Sequence, residues 1–156
     1  MSVYTTTIRW RRRSDEVFTD NRYSRVHTWD FDGGLSVRAS SSPEVVPLPF
    51  SDPEAIDPEE AFIGAISSCH MLWFLSLAAK KRFRVELYED AARGIMEKDE
   101  AGKPAITKVT LHPKVLFGGP KRPDEKSLAA LHHQAHELCF IANSVKTEIV
   151  VEAVIL

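Results

Sequence analysis

The chain has 156 residues, 44% of them hydrophobic and 27% charged, with a formal net charge of −2. That length suits a single domain over residues 1–156 with a real core. Nothing in the charge balance demands a nucleic-acid or anionic-membrane partner, and none is expected. Two cysteines without C-x-x-C spacing are too few for a disulfide scaffold. An intracellular, cytoplasmic protein is therefore expected, in which any disulfide is redox-active rather than structural.

In chain order, Val3 to Arg12 reads as a strand, supported by Thr5, Thr7 and Trp10. Arg9, Arg11, Arg12 and Arg13 form the only basic run and read as a solvated edge. Met1 to Thr7 has no apolar h-region, so no secretory leader is expected. Tyr23 to Phe31 is a second strand, Asp32-Gly33-Gly34 a hairpin turn, and Leu35 to Ser40 the returning strand. Pro43, Pro47, Pro49 and Pro53 make the connection to Ile56 extended and irregular.

Asp57 to Lys81 is the stretch the rest is organised around. Asp57 is an N-cap, Pro58 fits the first helical position, and Glu60 completes a capping-box pattern. From Ala61 to Ala79 nearly every side is apolar or small, which predicts a helix buried all round. Its apolar length is short for a bilayer span, and no other window reads as one. Val85 to Lys98 and Ala105 to Phe117 read as two strands around the turn Glu100–Lys103. Asp124 caps a second helix running to about Cys139, with Leu128, Leu131, Ala135 and Leu138 as its stripe. Val145 to Ile155 is the last strand. The order βββ-α-ββ-α-β is α+β, with helices packed on antiparallel sheet.

Cys69 sits mid-helix among Phe62, Ala65, Ile66, Leu72 and Trp73, either as a small core hydrophobe or as a reactive thiol. Cys139 ends the second helix. His132, His136 and Cys139 are spaced i, i+4, i+7, so a metal site completed by Cys69 or His70 is one reading of that helix. His70 points about 100° away from Cys69 around the helix and reads as structural. The other reading is a thiol pair. Two thiols in one apolar pocket suit peroxide reduction: one attacks the O–O bond and becomes a sulfenic acid, and the second condenses with it. The attacking group must be a thiolate, which a nearby guanidinium oriented by a carboxylate favours.

D-P-E-E-A-F-I-G-A-I-S-S-C and A-H-E-L-C-F-I-A-N-S resemble the segments around the two cysteines of the OsmC/Ohr family, the osmotically inducible protein C and organic hydroperoxide resistance proteins. Y-S-R-x-H-x-W (Tyr23 to Trp29) and S-S-C-H-M-L (Ser67 to Leu72) resemble its OsmC-like branch. The resemblance runs from about Tyr4 to Val154. It implies antiparallel sheets wrapped around two central helices, an intertwined homodimer, and thiol-dependent reduction of organic hydroperoxides in an antioxidant stress response. No cofactor is implied, and the electrons would come from a dithiol reductant such as a lipoylated protein.

By position, Cys69 would be the peroxidatic and Cys139 the resolving cysteine, with Glu59 as the family's carboxylate. One branch places the arginine where this chain has Pro49. The other points to Arg25, with Arg38 as runner-up. Phe50, Phe62, Trp73 and Phe140 would line the peroxide pocket, or else are plain core. Where that branch often has Cys-Pro, this chain has Cys139-Phe140. Glu59 and Cys69 are ten residues apart, ~15 Å along a straight helix. Either the helix breaks near Gly64, or Glu59, with Arg25, completes the site of a second subunit. The same fold also accommodates a non-catalytic small-ligand or metal-binding protein.

Overall fold

The computed structural model describes residues 1–156, apart from the side chain of Ile155. The chain forms two compact units, Met1–Ala61 and Phe62–Leu156. In the first, β1 (Thr6–Arg9), β2 (His27–Phe31) and β3 (Ser36–Ala39) make an antiparallel sheet in the order β1-β2-β3. Trp29 lies between Ile8 and Val37 in this register. The expected hairpin turn forms, with Gly34 at φ +87, a conformation that glycine adopts freely.

Two strands are shorter than the sequence predicts, because side chains and a distant carbonyl take over from the ladder. The Trp10 indole N–H donates to the Ser24 carbonyl at 2.8 Å. The Arg25 N–H donates to the Phe50 carbonyl at 2.8 Å. Trp10, Phe18 and Tyr23 then close into an aromatic cluster with centroids 4.6 to 5.6 Å apart.

Helix α1 (Pro58–Lys80) starts in the first unit and continues without a break through Gly64. Its capping box is reciprocal: Glu60 N–H donates to Asp57 Oδ1 at 2.7 Å, and Asp57 N–H to Glu60 Oε2 at 3.3 Å. At its other end Arg82 takes a positive φ of 60°. The Phe83 N–H then reaches back to the Ala78 carbonyl at 3.0 Å, a left-handed helix stop.

The expectation of all-round burial is corrected. Only the face of Ile66, His70, Phe74, Leu77 and Ala78 is buried within the chain, while Leu72 is 61% exposed. These buried positions follow the helical repeat, so one stripe meets the chain's own sheets and the rest of the circumference is left outward. By length and composition α1 also meets the requirement for a membrane-crossing helix, unlike the sequence estimate.

The two long strands expected after α1 are each broken in two. Strands β4 (Arg84–Asp90) and β5 (Arg93–Lys98) form one arm of a hairpin, β6 (Pro104–Leu111) and β7 (Pro113–Gly118) the other. Asp90 holds the bend: its Oδ1 accepts the His112 N–H at 2.7 Å, and its Oδ2 accepts the Ser67 hydroxyl of α1. Pro113 has no N–H to continue the ladder. The bent hairpin therefore feeds two sheets, β4-β7-β9 and β5-β6-β8.

Helix α2 (Glu125–Leu138) is capped by Asp124, whose carboxylate accepts the Ser127 N–H at 2.7 Å. The last predicted strand becomes β8 (Glu148–Val151) and β9 (Val154–Ile155), which join β6 and β7 in parallel. The observed order is thus βββ-α-ββββ-α-ββ, still α+β with two helices. Phe74, Leu77 and Ala78 of α1 pack with Leu128, Leu131 and Ala135 of α2 over Val115 and Phe117, and Ile66 packs over Val109 and Leu111.

Candidate functional site

The residues of α1 at Ala65, Ser68, Cys69, Leu72, Trp73 and Ser76 share one face, distinct from its buried stripe. With Phe140 and Ile141 they line a cavity of about 520 Å³. Apart from two serine hydroxyls and the thiol, its walls are apolar. Trp73 and Phe140 meet edge to face at 5.5 Å, and Phe140 is 66% exposed. Cys69 is half-buried on this wall, whereas Cys139 is fully buried.

The second thiol is positioned by the end of α2. Cys139 is the C-cap residue, with extended backbone and its N–H returned to the His136 carbonyl. The Ala142 N–H donates to its sulfur at 3.4 Å. Burial first, and then the neighbouring Cys69 thiol, push the Cys139 thiol up to about 11. The two free cysteines are therefore neighbours and differ in kind. One opens on an apolar cavity, and the other is kept protonated behind it.

Phe140 and Trp73 thus stand beside the thiols. Phe62 is not on the wall of this cavity: it lies two turns before Cys69 and packs on the Ile66, Val109 and Leu111 cluster, the plain-core alternative. Phe50 belongs to the N-terminal unit, where the Arg22 guanidinium stands 5.8 Å from its ring centroid.

The two candidate arginines are occupied differently. Arg38 is ion-paired with Asp52 through Nε and Nη2, which holds that carboxyl below its ordinary value. Arg25 stacks over the Tyr23 ring at 3.7 Å and donates to the Tyr23 carbonyl and to Asn21, all uncharged groups. Glu59 lies in the first turn of α1, half-buried. Among the described residues neither Arg25 nor Glu59 has an ion-pair partner.

The proposed metal ligands do not converge. Among the described residues no three His, Cys, Asp or Glu side chains are arranged to hold an ion. His132 turns instead to α1: its Nδ1 lies 3.0 Å from His70 Nε2, with the two rings parallel to within 2°. Sequence reasoning missed this pair. The available signal was that His132 falls in the apolar stripe of α2, where a polar side chain needs a partner.

The comparisons agree with this geometry. A family model described as OsmC-like protein matches residues 51–154. An OsmC-like protein of unknown function from Vibrio cholerae is 55% identical, with 99% of this chain and 100% of that one covered and a TM-score of 0.97. At the level of fold alone, an organic hydroperoxide resistance protein of Legionella pneumophila matches at 15% identity and TM-score 0.63, over 99% of this chain and 98% of that one. The organic hydroperoxide resistance protein OhrB of Bacillus subtilis matches at 16% identity and TM-score 0.61, over the same shares. No curated protein matches the chain.

Proposed function

The chain belongs to the OsmC-like protein family, and from that premise we propose that it is a two-cysteine thiol peroxidase of organic hydroperoxides, acting as one domain over residues 1–156. The observation that carries this reading is the thiol pair itself: half-buried Cys69 on the wall of an apolar cavity, with the buried Cys139 thiol beside it.

The Cys69 thiolate attacks the O–O bond of the hydroperoxide. An S–O bond forms, the O–O bond breaks, and the alkoxide takes a proton and leaves as an alcohol. Cys69 is then a sulfenic acid. The Cys139 sulfur attacks it, the S–S bond forms, and the hydroxyl leaves as water with the Cys139 proton. This last step suits a resolving thiol that is held protonated until the sulfenic acid exists. An external dithiol, such as the lipoyl group of a lipoylated protein, reduces the disulfide and is itself oxidised. Two free thiols in a working cycle of this kind suit the reducing cytoplasm.

The working unit in this proposal is a homodimer. The continuity of α1 removes the break at Gly64 that would let Glu59 fold back on its own Cys69. Among the described residues Glu59 and Arg25 lack ion-pair partners, and α1 leaves Leu72 outward. We assign Arg25 and Glu59 to the Cys69 site of a second subunit, where the guanidinium favours the thiolate and the carboxylate orients the guanidinium by paired hydrogen bonds. The pairing of Arg38 with Asp52 favours Arg25 for this role.

Consumption of cumene hydroperoxide with dihydrolipoamide as reductant tests the proposal. Wild-type protein turns over and Cys69→Ser does not. Binding of the hydroperoxide without consumption by the wild type would leave a small-ligand pocket and end the peroxidase reading.

A further inference from the structure

His70 and His132 are 1% and 4% exposed, beside an apolar cluster that joins α1 and α2. Contact among Phe74, Leu77, Leu131 and Ala135 is non-directional and tolerates small slides of one helix along the other. A hydrogen bond does not, because its strength falls steeply with distance and angle. The 3.0 Å contact between His70 Nε2 and His132 Nδ1 is therefore a directional link between the two helices. The polarity of the bond follows from burial. His132 Nε2 has no partner among the described residues, and an orphaned lone pair is tolerated better than an orphaned N–H. His132 Nδ1–H is then the donor and His70 Nε2 the acceptor.

The link stands next to the thiols along both chains. His70 follows Cys69 directly on α1, and His132 precedes Cys139 on α2 with nearly the same azimuth. Motion that separates the imidazoles is carried by each helix to a sulfur. The remaining charged or titratable neighbours are His136 of α2 and Asp90 of β4, which act on His70 in opposite directions, and Tyr88 of β4, packed on Phe74. None of them replaces the bond.

We infer that His70 and His132 are a positioning pair, whose hydrogen bond sets the register of the two cysteine-bearing helices and so governs how readily Cys69 and Cys139 join as a disulfide. The inference rests on the redox pairing of the two cysteines proposed above.

The test uses amides that reach or fall short. Glutamine can place its amide oxygen, an acceptor, where His70 has Nε2, and asparagine its amide nitrogen, a donor, where His132 has Nδ1. His70→Gln and His132→Asn can keep the bond, whereas His70→Asn and His132→Gln cannot. Each protein is equilibrated in oxidised and reduced dithiothreitol, where formation of the Cys69–Cys139 disulfide passes two electrons and two protons to the oxidised reagent. The bond-keeping variants are expected within about threefold of wild type, and the bond-breaking ones lower in equilibrium constant by about tenfold or more.

Folded bond-breaking variants that match wild type overturn the inference, as do bond-keeping variants impaired as much as the others. If the bond-breaking amides do not fold, leucine replaces them. If leucine also fails, the bond-keeping variants decide by their own retention or loss. Wild-type protein that forms the disulfide in dithiothreitol but consumes no hydroperoxide ends the peroxidase proposal and leaves this inference standing. Normal peroxide turnover with an equilibrium indifferent to all four substitutions ends this inference alone. Absence of the wild-type disulfide in dithiothreitol ends it as well.

Discussion

The buried thiol of Cys139 neighbours that of Cys69, yet only Cys69 lines the cavity. Burial first, and then the neighbouring Cys69 thiol, push the Cys139 thiol up to about 11. At pH 8 a thiol with that value is ionised to only about one part in a thousand, and the thiolate is the nucleophile. Iodoacetamide on the folded, reduced protein should therefore modify Cys69, leaving Cys139 until denaturant is added. Peptide mass spectrometry reads the two sites separately, and equal labelling in the fold would contradict the arrangement.

One equivalent of cumene hydroperoxide should give a Cys69–Cys139 disulfide within one chain. In Cys139→Ser no partner thiol remains, and Cys69 should advance to the sulfinic acid under excess peroxide. Non-reducing peptide maps follow both products. A disulfide between chains as the main product would remove Cys139 from the resolving step.

Arg25→Ala should lower peroxide turnover by about a hundredfold, as expected for loss of a charge that acts on the reacting group. Arg38→Ala should leave turnover near wild type, since Arg38 serves Asp52. The reverse order of effects would exchange the two assignments. Mixed dimers of Cys69→Ser and Glu59→Ala chains should recover one working site. Mixed dimers that form and remain inactive would refute the two-subunit site.

The imidazoles of His70 and His132 are both lowered from 6.5 to about 4, chiefly by burial. Folding thus favours their neutral forms. This contribution to stability is complete above pH 6.5 and is lost as the pH falls from 6.5 to about 4. The wild-type Tm should fall more steeply across that window than that of a His70→Gln/His132→Asn double variant, which has no imidazole at either position. Parallel Tm profiles would show that the pair does not take up protons on unfolding.

Phe74 is fully buried and touches Tyr88, Phe117 and His132. Its replacement by alanine should cost about 3–5 kcal/mol of stability, measured by urea unfolding. A loss under about 1 kcal/mol would mean that the site collapses around the change.

Local chemistry was legible in the sequence. The Asp57–Glu60 box, the Gly34 turn and the Asp124 cap each depend on residues a few positions apart, and each formed as predicted. The cysteine-centred motifs likewise marked the family, because they are contiguous runs. What the tertiary structure decided is non-local. The bend at Asp90 and His112 exists because Ser67 of α1 and the His112 N–H reach one carboxylate from distant parts of the chain. Phe62 and Phe140 look alike as aromatics near cysteines, yet one packs into core and the other borders the thiols. Arg38 and Arg25 were separated only by Asp52, fourteen residues from Arg38. His132 changed from a candidate ligand to the partner of His70, sixty-two residues away. Periodicity says which way a side chain leaves its own helix, but what it meets is set by how the elements pack.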